Sequence, residues 1–348
     1  SIIVPAYNEE VNIVRTIKTL KQQDYPNIHI YFVDDGSKDH TLERVREAFG
    51  DDREVTILSK PNGGKASALN YGVEACISEY VVCIDADTQL KDDAVRRLMN
   101  HFIADKEKRV GAVAGNVKVG NQRNLLTYWQ AIEYTSSQNF DRMAYSNINA
   151  VTVVPGAIGA FRKAVIQEVG GFTTDTLAED CDLTMSINEH GYIIENENYA
   201  VALTEAPETL RQFVKQRIRW RFGVMQAFWK HRSALFAPSK GGFGLWAMPN
   251  MLIFQYIIPP FSPIADVLMI IGLFTGNVMQ IVSNYELCRV IDASVSIMAY
   301  IFERERLWVL ILVIPQRFFY RWIMYYVLFK SYLKAIKGEL QTWGVLKR

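Results

Sequence analysis

Over its first hundred residues the chain alternates short β-rich runs with longer stretches of helical periodicity, and that alternation admits few folds. SIIVPA, HIYFVDD, VTILSK and YVVCIDAD read as strands, with helices expected over residues 8–21, 40–49, 66–77 and 92–103. Strands separated by helices pair in parallel through right-handed crossovers. The expected class is therefore α/β, a mostly parallel sheet flanked by helices, and in such sheets ligands lie beyond the carboxyl ends of the strands.

Polar residues gather at those ends. Pro5, Ala6, Tyr7, Asn8 and Glu9 follow the first strand, Asp34 and Asp35 close the second, and Asp85 and Asp87 close the fourth. Carboxylates collected along one sheet edge repel each other unless a cation or a donor-rich ligand offsets them. Helix capping explains Asp39 or Asp92 well enough, since Asp is favoured there. It does not explain recurrence at three strand ends.

Four short elements carry candidate chemistry. Asp85-Ala86-Asp87 presents two carboxylates to one hard cation, which prefers oxygen ligands and takes the remainder from water and phosphate. Pro61-Asn62-Gly63-Gly64-Lys65 lacks the spacing of a P-loop, yet its glycines permit close backbone approach and Lys65 can reach a nucleotide. Ala178-Glu179-Asp180 places two carboxylates before a helical run, either as acidic residues favoured at a helix start or as a general base. Gln216-Arg217-Ile218-Arg219-Trp220 sets two guanidinium groups and an indole on about one helical turn, suited to a diphosphate and a sugar face, or to a membrane surface.

Charge divides the chain. The net charge is +1 from 38 basic and 37 acidic residues, which offers no basic field for nucleic acid. Yet Leu245 to Phe329 holds only Asp266, Glu286, Asp292, Glu303, Glu305 and five arginines, amid the apolar runs MLIFQYII, VLMIIGLF, VSIMAYIF and LWVLILVI. Pro259, Pro260 and Pro263 interrupt the first, so no run is an uninterrupted span of ~20 residues. Broken helices are tolerated in membranes where neighbours cover them. Two regions follow: a water-soluble catalytic domain over 1–232, and an interfacial and transmembrane region over 233–348. Trp220, Trp229 and Trp246 suit the interface, and Lys330, Lys334, Lys337, Lys347 and Arg348 suggest a cytoplasmic tail. The four cysteines show no metal or disulfide spacing, which fits a reducing setting for the first region. The chain opens on an apolar strand without Met, as an excerpt lacking upstream segments would.

Taken in order, IVPAYNEE, VDDGS, NGGK, DAD, AED and QRIRW, followed by apolar segments, resemble a family 2 glycosyltransferase of the GT-A fold. VGAVAGNVKVGNQRNLLTYWQ, VVPGAIGAFR and TEAPETLRQFVKQRIRW are similar to processive membrane polysaccharide synthases of the poly-β-1,6-N-acetylglucosamine branch, some fused to a polysaccharide deacetylase domain. The resemblance implies an inverting transferase that moves a sugar, N-acetylglucosamine or glucose, from a UDP-sugar to a growing β-linked polysaccharide. Pro5, Tyr7 and Glu9 would line the nucleotide pocket, with Asp35 and Lys65 reaching the uracil. Asp85 and Asp87 would hold Mg2+ or Mn2+, with Asp85 also at the diphosphate. Asp180 matches the catalytic base. Gly156, Ala157, Glu179, Gln216, Arg219 and Trp220 would face the acceptor. The implied setting is the cell membrane, multi-pass, with the catalytic domain cytoplasmic, in contact with membrane lipids and with envelope export or polysaccharide-modifying subunits. Two other readings compete: transfer of one sugar to a membrane lipid, and a non-catalytic subunit of an export complex.

Overall fold

The computed structural model describes residues 1–274 and 278–337. Eight strands form one sheet: β1 Ile2–Ala6, β2 Ile30–Asp34, β3 Val55–Ser59, β4 Tyr80–Cys83, β5 Gln89–Leu90, β6 Val110–Val119, β7 Gly159–Arg162 and β8 Ile193–Thr204, in the order β3-β2-β1-β4-β7-β6-β8-β5. The first four strands pair in parallel, as the alternation requires. Beyond β4 the sheet is mixed: β7 runs antiparallel to both β4 and β6, and β5 runs antiparallel to β8, while β6 and β8 are parallel. Sheet order reverses between β1 and β4, which is where such a sheet opens its ligand crevice.

Pro5 sits in a central strand, where proline ordinarily breaks the ladder. Here it breaks nothing. Ser1 and Ile3 direct their carbonyls to β4, so Pro5 faces the same way, but β4 has ended before reaching it. The chain then turns at Asn8, whose φ of 57° is left-handed, and α1 (Ile13–Lys21) starts five residues later than the periodicity suggests.

Helices cover both faces. α1, α2 (Thr41–Phe49) and α4 (Ala94–Ala104) bury Ile13, Ile17, Leu20, Val45, Leu98 and Phe102 against Ile2, Val4, Ile30 and Phe32. On the other face α3 (Lys65–Ala75), α7 (Lys163–Glu168) and α8 (Glu179–Glu189) pack Leu69, Val73, Ile166 and Leu183 on Ile3, Val33 and Val81. Between β6 and β7 run α5 (Leu125–Glu133), a π-helical turn Tyr134–Asn139, and α6 (Phe140–Ser146). α9 (Leu210–Lys230) follows β8.

The apolar remainder is helical. MLIFQYII and VLMIIGLF, read from sequence as separate segments, join in one helix that includes Phe243–Gly272, 30 residues long and apolar enough to cross a membrane. A π-helical stretch, Met251–Ile257, precedes Pro259 and Pro260, which have no N–H for the Gln255 and Tyr256 carbonyls; Arg221 Nη1 donates to the first at 3.4 Å and Tyr332 OH to the second at 2.7 Å. Leu307–Lys337 is a second helix long and apolar enough to cross a membrane, and between the two lies the helix Val278–Phe302, whose apolar part is Val290–Phe302. Phe254, Phe261, Leu268, Ile311 and Phe319 are more than half exposed, so these helices are not the buried core of the sheet domain. Trp229 and Trp246 are exposed as well, whereas Trp220 is half-buried. Lys347 and Arg348 lie outside the described residues, as does the Cys288 side chain; Cys76, Cys83 and Cys181 are buried thiols.

The charged turn after the Val278–Phe302 helix is an anchor. The Glu303 side chain is 6% exposed, and it accepts from Asn116 Nδ2 at 2.5 Å and pairs with Lys118 at 3.1 Å; Glu305 pairs with the same ammonium at 2.6 Å. Both partners stand on β6. Further along, Trp129 Nε1 donates to the Leu312 carbonyl at 3.1 Å, and Tyr320 reaches Glu133. Residues that look like stray charges in an apolar stretch thus fasten it to the sheet domain.

Candidate active site

The crevice between β1 and β4 is built from loops that brace one another. Asn8 takes the Ser37 hydroxyl as acceptor for its N–H at 3.0 Å and accepts from Lys38 N at 2.8 Å. Glu9 N donates to the Thr41 hydroxyl at 2.8 Å. Pro5 ends the β1 wall, and Tyr7 and Glu9 sit half-buried just beyond it. The segment after β1 is therefore locked to the segment after β2.

Asp35 is buried and organises the glycine turn. Its carboxylate accepts from Gly63 N at 3.0 Å, Gly64 N at 2.8 Å and Lys60 Nζ at 2.7 Å. Gly64 has φ of 87°, a conformation that glycine alone adopts readily. The sequence reading sends both Asp35 and Lys65 toward the uracil, and the structure sets the two residues apart. Lys60 is the lysine at Asp35, because the turn swings the next helix start away and points Lys65 across the crevice.

Lys65 lies where the carboxylates meet. Its Nζ is 2.6 Å from Asp85 Oδ1, past the end of β4, and 3.1 Å from Glu179 Oε1 in the first turn of α8. Burial by itself would lower its pKa, but Asp85, Glu179 and Asp180 together hold it well above the ordinary lysine value. Gly156 closes the seat: a Cβ there would stand 2.5 Å from the ammonium, and its N–H donates to Asp180 Oδ2 at 3.3 Å. Ala157 is buried beside it, and Val154 N donates to Thr184 Oγ1 on α8 at 2.8 Å, fixing the VVPGA loop to the helix that carries Asp180.

Burial pushes the Asp180 carboxyl up to about 6, Glu179 adds to the rise, and Lys65 opposes it. A carboxyl poised there exchanges a proton near neutral pH. Asp87 is half-buried two residues beyond Asp85, on a loop whose Ala86 carbonyl accepts from Thr16 Oγ1 at 2.8 Å. Among the described residues no three Asp, Glu, His or Cys side chains form a chelating group. The donors that Asp85 and Asp87 supply are hard oxygens, and they fit Mg2+ or Mn2+ only as part of a shell completed by phosphate and water.

α9 brings the QRIRW element to the same place. Gly223 lets the helix approach so closely that a Cβ would meet Ala178 N at 2.7 Å, and Gln226 Oε1 accepts from Leu177 N at 3.1 Å. Gln216 is half-buried, with an Oε1 that has no partner among the described residues. Arg219 and Trp220 are half-buried, and Trp220 joins the core cluster that contains Ala86, Tyr134 and Ala157. Arg217 departs from the sequence reading of two diphosphate-facing guanidinium groups. It is buried, donates to Glu133 Oε1 at 2.8 Å, and stacks within 4.7 Å of the Trp220 ring and 5.1 Å of Phe213. Its charge serves packing, and Arg219 alone remains for an anionic ligand.

Several residues here carry no sequence signal. Tyr134 is buried with the Arg217 guanidinium 5.8 Å from its ring, and burial raises its hydroxyl to about 12, with Asp87 and Asp85 adding to the rise. Arg142, on α6, is buried with Nη1 donating to the Gly115 carbonyl at 2.9 Å; burial lowers it to about 10, against the pull of Glu303, Asp180 and Asp141. Asp182 is fully buried two residues past Asp180, and it accepts from Thr173, from Lys230 at 2.9 Å and from His231 Nε2 at 3.0 Å. Glu189 takes the other ring nitrogen of His231 at 2.8 Å. This cluster ties the first turn of α8 to the end of α9.

A mixed sheet with acidic loops at its β1/β4 switch point, a basic residue among them and a carboxylate-bearing helix opposite defines the class of GT-A glycosyltransferases. Residues 1–170 match the family model described as glycosyl transferase family 2. Poly-beta-1,6-N-acetyl-D-glucosamine synthase of Staphylococcus epidermidis is 32% identical over 234 residues, covering 66% of this chain and 56% of that protein. The synthase of the same name from Staphylococcus aureus strain COL is 32% identical over 221 residues, 64% of this chain and 53% of that one. The chain thus spans little more than half the length of these curated relatives. Among solved structures, the mannosyltransferase PcManGT of Pyrobaculum calidifontis, in complex with GDP-Man and Mn2+, superimposes with a TM-score of 0.64 over 91% of this chain and 86% of that one. At 23% identity that likeness is one of fold.

Proposed function

We propose that the chain is a membrane-bound, inverting hexosyltransferase that moves N-acetylglucosamine or glucose from a UDP-sugar to the end of a growing β-linked polysaccharide, processively. The observation that carries this reading is the meeting of Asp85, Lys65, Glu179 and Asp180 in one crevice, with Gly156 against Asp180 and the QRIRW helix alongside. The names of the staphylococcal relatives support the polymer.

An acceptor hydroxyl is a weak nucleophile, and a carboxylate placed to take its proton speeds attack by roughly 10²–10⁴-fold. Asp180 is that base; it attacks nothing itself, so a single displacement inverts the anomeric carbon. Pro5, Tyr7, Glu9 and Asp35 frame the nucleotide. Asp35 acts there through the Gly63-Gly64 turn that it holds, while Lys65 belongs at the diphosphate end. Asp85 and Asp87 would hold Mg2+ or Mn2+, which supplies charge neutralisation for the departing diphosphate when bound. Arg219 adds a fixed cation. Gln216, with its unpartnered buried carbonyl, suits a sugar hydroxyl, Trp220 offers a ring face, and Gly156, Ala157 and Glu179 border the acceptor end.

The two long apolar helices, with exposed apolar side chains and Lys330, Lys334 and Lys337 near the end of the second, support a multi-pass placement with residues 1–232 in the cytoplasm, where UDP-sugars are found, and 233–348 at and in the bilayer. The test is a panel of UDP-sugars offered to the purified protein in lipid with Mg2+ or Mn2+. The expected product is a ladder of long chains cut by a β-linkage-specific hydrolase. One lipid-linked sugar in its place would transfer the reading to the single-transfer alternative, and no UDP release with any donor would leave a non-catalytic role.

A further inference from the structure

The seat of Lys65 is unusually specific for a residue of a glycine-rich turn. Its ammonium is in contact with Asp85 and Glu179 and within the field of Asp180, its side chain is only 14% exposed, and the absence of a Cβ at Gly156 provides its space. The oxygen it occupies at 2.6 Å, Asp85 Oδ1, is one of those that a divalent cation would need. One carboxylate oxygen cannot serve a lysine ammonium and a dication together without like charges a few ångström apart in a poorly solvated crevice.

We propose that Lys65 is a resident counter-ion that keeps the Asp85 site closed to bare divalent ions, and that it gives up Asp85 only when a nucleotide diphosphate arrives to accept the ammonium. The site then takes metal and nucleotide as a pair, and a metal ion alone competes poorly. This inference rests on the reading of Asp85 and Asp87 as cation ligands. Its chemical logic is an exchange of ion pairs: the Lys65–Asp85 pair opens, the metal takes the carboxylate, and the diphosphate oxygens take the ammonium. No bond to carbon changes, so the exchange is separable from sugar transfer.

Two variants test it by different routes. Lys65→Met removes the ammonium and keeps the aliphatic stem. Gly156→Ala keeps the lysine and places a methyl 2.5 Å from the present Nζ position, so the flexible end of the side chain must leave its seat. Binding of Mn2+ to the purified full chain is followed by the loss of the free-ion electron paramagnetic resonance signal, with and without UDP. Thermal melts confirm that both variants are folded. In the unaltered chain UDP should tighten Mn2+ binding strongly. In both variants Mn2+ without UDP should bind at least ~10-fold tighter than in the unaltered chain, with a correspondingly smaller gain from UDP. Mn2+ affinity without UDP that is unchanged or weaker in the two variants would overturn the counter-ion role while leaving the cation site standing. Failure of the unaltered chain to hold Mn2+ even with UDP would overturn the cation site, and the counter-ion role with it.

Discussion

Replacing Asp180 by Asn sets activity against stability, and the structure gives a magnitude for each. Burial, reinforced by Glu179 and only partly opposed by Lys65, lifts the carboxyl from 3.8 to about 6. The folded chain therefore holds this proton more tightly than the unfolded one. The stabilisation tied to the neutral acid is complete below the unfolded value and is lost as pH rises through about 6. A displacement from 3.8 to about 6 corresponds to about 3 kcal/mol, less whatever Lys65 forfeits when a negative neighbour goes. At pH 7.5 the Asn variant should melt higher than the unaltered chain, and near pH 3.5 the two should converge. Turnover moves the other way: loss of a general base costs roughly 10²–10⁴-fold, or about 3–5 kcal/mol of barrier. The assay pairs UDP release from a UDP-sugar with calorimetric UDP binding. Turnover of the unaltered chain should rise with pH along an acid limb near 6, and the variant should bind UDP normally with its residual rate lacking that limb. An Asn variant that folds, binds UDP and retains full turnover would refute the base, and one that melts lower at pH 7.5 would refute the buried-charge account.

Other perturbations separate structural from chemical roles. Chelation by EDTA should abolish UDP release, and Mn2+ or Mg2+ should restore it, measured as turnover before and after adding back the ion. His231→Ala leaves Asp182 buried without a principal donor and should cost about 3–5 kcal/mol, read as a melting shift. Wild-type stability should also respond at both ends of the pH range. Burial opposes charging of both groups but their pairing wins, holding Asp182 at about 2 and raising His231 to about 9. The Asp182 contribution is present above its ordinary 3.8 and lost as pH falls through about 2; that of His231 is present below 6.5 and lost as pH rises through about 9. Glu303→Ala removes one of the two carboxylates at Lys118 and one of the two acceptors of Asn116 Nδ2, and should cost about 1–3 kcal/mol, seen as earlier proteolytic release of the C-terminal helices. Arg217→Lys loses the planar stack on Trp220 and should lower the melting temperature, whereas Arg219→Lys should spare it and reduce turnover.

The first half of the fold was open to reading because it depends on local signals. Alternating β-branched runs and helical periods specify β1 to β4 and their helices, and carboxylates at strand ends mark the crevice whatever the rest of the chain does. The antiparallel β7, only four residues long, left no such mark: it is held by its neighbours on both sides and has little pattern of its own. The two apolar runs around Pro259 also read as separate pieces, because proline's local penalty is visible in sequence and the distant donors that relieve it, Arg221 and Tyr332, are not.

Residue types and their order alone determined the α/β class, the placement of Asp85, Asp180 and the QRIRW element among candidate site residues, and the partition into charged and apolar regions. Tertiary structure decided partnership. It put Lys60 and not Lys65 at Asp35, turned Arg217 into an aromatic-stacked core cation, and made Glu303 and Glu305 anchors on β6. It also surrounded Lys65 with three carboxylates drawn from a loop and a helix start more than ninety residues apart. The reason is physical: a motif records which groups are available, but electrostatic energy depends on distance and burial, and both are set only when distant segments close on one another.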